Sequence, residues 1–203
     1  IATLAQLRRL SERSQDWGAV VNLTADIDAS DTSSWNSGDH DGDIGTVNQA
    51  MGFSPIGNYF DRFQGTFNGA GFSITGLTIN RSASRYVGLF GFCESGSITA
   101  LGVNNVTVNG DHYVGGLIGF NDCNITASYA KGSVSGESNV GGLIGHNSIN
   151  SVIIVSYAIA NVSGNLRVGG LVGGNSSSYG TITASYAKGS VSGDDEVGGL
   201  IGW

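Results

Sequence analysis

A short glycine-rich motif recurs along this 203-residue chain and restricts its fold more than any other feature. Residues 114 to 119 read VGGLIG, and close copies lie before and after this segment. The glycine that precedes the leucine marks each copy, and it falls at positions 88, 116, 142, 170 and 199. The steps are therefore 28, 26, 28 and 29 residues. A nearly constant period of this length is typical of a solenoid, in which each repeat forms one coil that packs on the next.

Three other features keep the same period and give the coils a common register. The triplet SYA begins at residues 128, 156 and 185, and the triplet VSG begins at 134, 162 and 191. An asparagine follows the motif by two residues in three copies, and we expect a ladder of stacked amides from Asn121, Asn147 and Asn175. The tyrosines of the SYA triplets should form an aromatic stack, which is either structural or able to stack a ligand: Tyr129, Tyr157 and Tyr186.

The residue types in the repeats favour strands over helices. Adjacent glycines and β-branched residues destabilise a helix, and helical repeats need apolar residues three and four positions apart. Small or apolar residues alternate with hydroxyl-bearing residues, and this alternation changes phase between Ala127 and Ala130, as at a corner. We therefore predict an all-β protein, a parallel β-helix (β-solenoid) with about 26–29 residues per coil. Each coil should have three short strands, around VGGLIG, ITASYA and GSVSG.

The beginning of the chain lacks the repeat and is expected to cover the first coil. Residues 3 to 13 place Leu4, Leu7 and Leu10 on one helical face, and Thr3 can cap the helix. A stack of strands leaves its end coil open, so a short N-terminal capping helix would act as a lid.

The segment between this helix and the repeats is less regular. Residues 19–28 are predicted to form a strand, residues 31–52 a loop-rich insertion, and residues 65–80 the first irregular coil. We expect one continuous domain, a piece of a longer polypeptide. Its residues 1–86 hold the cap helix, the leading strands and the irregular coil, and its residues 87–203 hold the repeats.

Charge and hydropathy exclude several partners. The formal charge is −7, so a phosphate backbone or an anionic membrane surface would be repelled, and we expect no nucleic-acid binding. No run of 18 or more apolar residues is present, so we expect no membrane insertion.

No grouping of reactive residues in the repeats points to catalysis. Hydrolysis or elimination on a glycan requires carboxylates or bases that converge on one bond. The acidic residues of the repeats lie mostly in variable turns and share no recurring face: Glu94, Asp111, Asp122, Glu137, Asp194, Asp195 and Glu196. We therefore predict that the chain is not an enzyme and has no catalytic, cofactor-binding or metal-binding residues.

The histidines, the cysteines and one acidic loop contain the residue types that most often form sites, but none has the complete pattern of one. His40, His112 and His146 occupy unlike positions and carry no zinc signature. Carboxylates at alternate positions around a glycine can wrap Ca²⁺, but a solvated acidic loop is the favoured interpretation of Asp39, Asp41 and Asp43. Two buried, unbridged thiols are favoured over a disulfide for Cys93 and Cys123, which lie one repeat apart and two or three positions out of register.

The VGGLIG copies at this spacing resemble the GLUG motif, named for glycine, leucine, an apolar residue and glycine. The preceding order of AQL, LTADIDAS, FSPIG, FQGTFNGAGFSITGLTIN and YVGLFG is similar to the segment that leads into such repeats in large bacterial surface and secreted proteins. The resemblance covers residues 4–202. It implies an extracellular location, multidomain adhesin-like products or accessory regions of secreted peptidases, and no catalytic residues.

The functional prediction is a non-catalytic extracellular structural or adhesive module, either a stalk or an adhesin region of a large bacterial protein. Its partners would be a surface glycan or protein receptor and the flanking domains of the same polypeptide. The alternative is an accessory β-helix that positions substrate for a secreted peptidase or polysaccharide-active enzyme. Ice binding ranks third, because Ile154 interrupts the threonine column of Thr99, Thr126 and Thr183.

Overall fold

A computed structural model describes residues 1–35, 50–149, 151–176 and 180–203. It shows a parallel β-solenoid with one short α-helix at its beginning, as predicted. Every pairing between two named strands is parallel, so neighbouring strands come from successive coils.

Helix α1 (Leu4–Ser11) lies at the start of the stack, and 3-10 helices follow at Ser14–Asp16 and Ser30–Ser34. The side chain of Thr3 caps α1 by accepting a hydrogen bond from the backbone N–H of Gln6, at 3.3 Å. Leu7 and Leu10 are buried in the same core as Val21 of the first coil. The helix thus packs against the first coil, and it ends two residues before the predicted Arg13.

In chain order the strands are β1 (Val20–Asn22), β2 (Ile27–Asp28), β3 (Thr66–Asn68), β4 (Ser73–Thr75), β5 (Thr78–Asn80), β6 (Phe90–Thr99), β7 (Gly102–Asn109), β8 (His112–Gly115), β9 (Ile118–Thr126), β10 (Tyr129–Ser135), β11 (Ser138–Gly141), β12 (Ile144–Asn147), β13 (Val152–Ile154), β14 (Tyr157–Ser163), β15 (Leu166–Gly169), β16 (Val172–Asn175), β17 (Thr181–Thr183), β18 (Tyr186–Lys188), β19 (Val191–Ser192) and β20 (Asp195–Gly198).

These strands form three sheets. The first sheet runs β1-β3-β6-β9-β12-β16, with β13 and β17 alongside. The second runs β18-β14-β10-β7-β4-β2, with β5 and β19 alongside, and the third runs β20-β15-β11-β8. The first and second sheets therefore take strands from the first coil onward, and the third sheet begins at β8.

The VGGLIG and ITASYA motifs each span a corner between sheets, so the prediction of one strand around each of these two was wrong, whereas residues 132–135 of GSVSG lie within β10 as predicted. In the third copy, Val140 and Gly141 end β11, Gly142 and Leu143 make the turn, and Ile144 begins β12. The ITASYA segment also divides at a corner. Ala127 has φ 50°, between β9 and β10, and this position agrees with the predicted change of phase. A glycine or a left-handed residue is needed where the chain turns, which explains why the most regular residues mark corners.

The N-terminal segment also differs from the prediction. Residues 19–28 form two strands, β1 and β2, because their two ends belong to different sheets. Since β1 pairs with β3 and β2 pairs with β4, a coil precedes the segment 65–80, which is therefore the second coil.

Polar ladders connect the coils inside the stack. The amide nitrogen of Asn121 donates to Oδ1 of Asn147 at 2.8 Å, and the amide nitrogen of Asn147 donates to Oδ1 of Asn175 at 2.9 Å, so the predicted ladder is confirmed. Ser128 and Ser156 accept hydrogen bonds from the backbone of the preceding coil, at 3.3 and 3.2 Å. These bonds satisfy polar groups that the surrounding Val, Ile and Leu side chains bury.

Cys93 and Cys123 form a disulfide, so the favoured prediction of unbridged thiols was wrong, although both residues are buried. Cys93 pairs in register with Asn121, which places Cys123 two residues further along the adjacent strand. Side chains two residues apart in a strand share a face, and the irregularity between Glu94 and Ser97 shifts the register there. The two Cα atoms are 5.7 Å apart, within the range that a disulfide spans.

Candidate functional site

Aromatic rings from successive coils stack along one corner of the solenoid. We call this group the aromatic strip, and its members are Tyr59, Tyr86, Phe92, Tyr113, Phe120 and His146. The rings of Tyr86 and Tyr113 are 5.1 Å apart and nearly parallel. The rings of Phe92 and Phe120 are 4.6 Å apart, and Tyr113 meets Phe120 edge-on at 5.5 Å.

Two repeat positions supply all of these rings except Tyr59, and a corner brings them together. Tyr86 and Tyr113 precede a Val-Gly pair, and both are left-handed, with φ 61° and 58°. Phe92, Phe120 and His146 each follow the glycine at the second position of a strand of the first sheet. That glycine is required, because a Cβ at Gly119 would lie 2.6 Å from the backbone oxygen of Tyr113.

The strip ends where the repeats change residue type. Asn139, Arg167 and Glu196 continue the left-handed column, and Arg167 pairs with Glu196 at 2.7 Å. Gly174 takes the position that His146 occupies one coil earlier. At Trp203 an aromatic ring returns, and the guanidinium of Arg167 lies 4.3 Å from its centroid.

His146 is the one imidazole in the strip. It stacks on Phe120 at 5.1 Å, and its Nε2 is 3.1 Å from the hydroxyl of Ser176. Burial, and secondarily the positive charge of Arg167, lower the pKa of His146 to about 4. The imidazole is therefore neutral near pH 7.

The strip packs its rings against one another, which leaves mainly ring edges at the surface. Burial, and next the neighbouring Tyr113, raise the pKa of Tyr86, so this phenol remains protonated. A sugar ring binds to an exposed aromatic face, and the stacked neighbours cover most of these faces. The strip is therefore mainly a structural stack, with Tyr59 and the 89% exposed Phe60 at its N-terminal end.

A second set of rings lies on the outer face of the second sheet. The predicted tyrosine stack is confirmed, because Tyr129, Tyr157 and Tyr186 lie 4.9 Å apart at interplanar angles of 6° and 4°. The ammonium of Lys131 is 4.8 Å from the Tyr129 centroid, and that of Lys188 is 5.6 Å from the Tyr186 centroid. We call this surface the lysine–tyrosine face.

The acidic residues named above as catalytic candidates lie in small neighbouring sets, and several have partners. Glu94 is in register with Asp122, and the backbone N–H of Glu137 donates to the carbonyl of Asp111 at 2.7 Å. Glu94 pairs with Arg62, and Glu137 accepts two hydrogen bonds from the amide of Asn165, each at 2.9 Å. Glu196 pairs with Arg167, as described above. In the ranges that the structure covers, no three His, Cys, Asp or Glu side chains are grouped as a metal ion would require.

The nearest approach of a base to a carboxylate is between Nδ1 of His112 and Oδ2 of Asp111, at 2.8 Å, but this contact lacks the geometry of a hydrogen bond. Ser138 lies in register with His112 on the next coil, but its hydroxyl accepts a hydrogen bond from the amide of Asn139, at 3.0 Å. No hydrogen bond joins His112 to Ser138 in the described chain. His40 and the acidic loop of Asp39, Asp41 and Asp43 lie outside the described residues.

The threonine column has the register that was predicted. Thr99 pairs with Thr126, and Ile154 lies between Thr126 and Thr183. An aliphatic side chain thus interrupts the hydroxyls. No helix in the described ranges is both long and apolar enough to cross a membrane.

Sequence reasoning missed the aromatic strip, although a signal was present. An aromatic residue precedes the Val-Gly pair at Tyr86 and Tyr113 and follows the later glycine at Phe92 and Phe120. Linking these two positions required the corner geometry.

Comparisons with known proteins agree with this architecture. Residues 110–135 and 164–192 match the family model of the GLUG motif. Halomucin of Haloquadratum walsbyi is 36% identical over 138 residues, which are 66% of this chain and 1% of halomucin. A candidate Gly-rich membrane protein of Evansella cellulosilytica is 41% identical over 61 residues, 30% of this chain and 7% of that protein. The chain thus spans a small part of either relative.

A solved structure shows the same fold. The crystal structure of a candidate immunoglobulin A1 protease from Bacteroides ovatus matches 99% of this chain and 60% of that chain, with a TM-score of 0.75 and 23% identity. At this identity the similarity shows the fold alone. The resemblance of the VGGLIG copies to the GLUG motif is confirmed by the two matched segments, and this chain is a β-solenoid that carries GLUG repeats.

Proposed function

We propose that this chain is a non-catalytic structural module of an extracellular or surface protein, and that it holds other parts of such a protein at a distance. The observation that carries the proposal is the continuity of the stack. Parallel strand pairing is continuous from β1 to β16 in the first sheet and from β2 to β18 in the second, with register shifts in the pairs β6–β9 and β7–β10. Six strands along the first sheet span about 24 Å, because neighbouring strands are about 4.8 Å apart.

Contacts between successive coils hold the stack at this length. Each coil is joined to the next by strand ladders, by the asparagine ladder and by stacked rings. The disulfide adds a covalent link between two coils. Solenoid stability grows with each such interface, so the stack resists unfolding along its axis.

The comparisons support a role within very long proteins. The segment similar to halomucin makes up 1% of that protein, and the GLUG resemblance implies large surface or secreted proteins. The absence of catalysis remains a proposal, supported by the ion pairs and hydrogen bonds that already engage Glu94, Glu137 and Glu196.

The alternative, an accessory domain of a secreted enzyme, is compatible with the name of the Bacteroides protein. The two proposals differ in what the flanking domains do.

Force spectroscopy tests the proposed role. The chain is held between two marker domains and stretched from residue 1 to residue 203. We expect stepwise release of coils, each adding about 10 nm of contour length for about 28 residues. Extension without resistance above that of an unfolded chain would contradict the proposal.

A second measurement tests the absence of catalysis. The chain is incubated with peptide and polysaccharide panels, and the products are measured by mass spectrometry. Turnover that disappears in Asp111→Asn or Glu137→Gln would show that the module is an enzyme.

A further inference from the structure

The lysine–tyrosine face has an unusual distribution of charge. Lys131 and Lys188 are the only lysines in the chain. They lie on the same side of the second sheet, in one column with Ile159 between them. The column places the two ammonium groups two coils apart, about 10 Å along the stack.

Among the residues that the structure describes, no carboxylate forms an ion pair with these lysines. The strands β7, β10, β14, β18 and β19 contain no Asp or Glu. Glu137 is six residues beyond Lys131, about 20 Å along an extended chain. Charges at the surface are largely screened beyond about 8 Å at physiological ionic strength, so the net charge of −7 acts weakly on this face.

The lysines rest on tyrosine rings instead. Lys131 is 4.8 Å from the centroid of Tyr129 and 5.8 Å from that of Tyr157. Among the described residues neither lysine forms a salt bridge, whereas Arg62 and Arg167 both pair with glutamates. A cation held over a ring keeps its charge and retains N–H donors for a second partner.

Hydrogen-bonding groups line the same surface. Ser133, Asn161 and Ser190 form an adjacent column, and Ser133 and Asn161 are exposed. The hydroxyls of Tyr157 and Tyr186 form no hydrogen bond within the described part of the chain. The face therefore offers two fixed positive charges beside a row of neutral donors and acceptors.

We propose that the lysine–tyrosine face binds a glycan chain that carries carboxylate groups. The ammonium groups of Lys131 and Lys188 would each contact a carboxylate, and the serine, asparagine and tyrosine side chains would contact sugar hydroxyls. The chain would lie along the solenoid axis, where the two charges are aligned. The mechanical role proposed above does not depend on this binding.

Other polyanions fit the face less well. A single-stranded nucleic acid binds by stacking its bases on open aromatic faces, and here the stacked tyrosines cover one another. Two cations also neutralise too few phosphates for tight binding. A glycan needs only weak charge pairs and many hydroxyl contacts, both of which the face provides.

Biolayer interferometry tests the proposal by measuring how the whole chain binds to immobilised polygalacturonate. The control ligand is fully methyl-esterified polygalacturonan, which has the same backbone and no charge. We expect the parent to bind the charged polymer and not the ester, with affinity falling as salt rises. Lys131→Gln and Lys188→Gln should each weaken binding about two- to fivefold, the range for exposed charge pairs.

Two further variants make the test specific. Arg85→Gln changes the net charge equally, and its side chain is 61% exposed at another corner, so it should leave binding unchanged. Ile159→Lys places a third charge between the two lysines and should tighten binding. Circular dichroism checks that each variant is folded.

Several outcomes would overturn the proposal. These are no binding by the parent, equal binding to the ester, and an equal loss in Arg85→Gln. Binding of oligo-dT as tight as that of the glycan, with the same lysine dependence, would assign the face to nucleic acids instead. Force curves of the Lys131→Gln and Lys188→Gln variants should match the parent, which separates this proposal from the mechanical one.

Discussion

One glycine column tests the stacking of coils directly, because the same substitution has different surroundings at two of its positions. A Cβ at Gly142 would overlap the backbone oxygen of Gly170 on the next coil and lie 2.8 Å from the Cβ of Ala158. A Cβ at Gly199, in the last coil of the chain, would meet nothing within 4 Å. Neither glycine has a left-handed φ, so only the available space distinguishes them.

The expected magnitudes follow from these surroundings. Overpacking costs about 1–3 kcal/mol, and a contact with fixed backbone belongs at the upper end. Replacing glycine by alanine also stabilises by about 0.4–1 kcal/mol, because the unfolded chain loses freedom. We expect Gly142→Ala to lower the free energy of unfolding by about 2–3 kcal/mol and Gly199→Ala to raise it slightly. Since the unfolded-state effect is common to both, their difference of about 3 kcal/mol measures the steric overlap.

Urea unfolding followed by circular dichroism measures this difference. A slope of about 2–3 kcal/mol per molar urea converts it to a shift of about 1 M between the two midpoints. The slopes should agree, which shows that both variants unfold the same structure. Equal midpoints for Gly142→Ala and Gly199→Ala would refute the stacked arrangement of this glycine column.

Three other perturbations have clear expected outcomes. The double variant Cys93→Ser, Cys123→Ser should lower the free energy of unfolding by about 3–4 kcal/mol. This is the loss of chain entropy in the unfolded state when a disulfide closes a loop with a sequence separation of 30. An unchanged free energy in urea unfolding would contradict a formed disulfide. The pKa of His146 is about 4 when folded, below its ordinary 6.5, so protonation favours the unfolded chain and stability should fall as the pH drops from about 6.5 to about 4. In His146→Phe, the melting temperature should fall less between about pH 6.5 and pH 4 than in the parent. An unchanged pH dependence would refute the inference that burial lowers the pKa of His146. Deletion of residues 1–14 removes Leu7 and Leu10 from the core and should cause association in analytical ultracentrifugation, whereas a monomeric product would contradict the lid.

The periodic part of the fold was predictable because its residues repeat in one register. The asparagine ladder and the tyrosine stack each come from one repeat position, and parallel stacking brings equal positions together without further information. The phase change near Ala127 also marked a true corner. The strand bounds were wrong because the most constant residues, the glycines, are required at turns and close contacts rather than within strands.

Features that join different repeat positions were not predictable from the period. The disulfide links Cys93 to a residue two positions beyond its partner in register, next to an irregularity in β6 that the sequence does not mark. The aromatic strip combines residues from two sheets that meet at a corner, for example Tyr113 and Phe120. In the first coil, β1 and β2 carry no repeat motif, so only their pairing with β3 and β4 identifies them.

The two aromatic surfaces show how a repeat can separate stability from recognition. In the aromatic strip, neighbouring rings cover one another, and Phe120 contacts rings of its own coil and of both neighbouring coils. A change there would disturb the stack. The column of Lys131, Ile159 and Lys188 lies outside the core, and its residue type changes from coil to coil. The adjacent inward-facing column is alanine in all three coils, at positions 130, 158 and 187. Charge can therefore be placed along this face at intervals of one coil without altering the interior. A ligand that binds the lysine–tyrosine face would need anionic groups at the spacing of these charges, and the solenoid fixes that spacing.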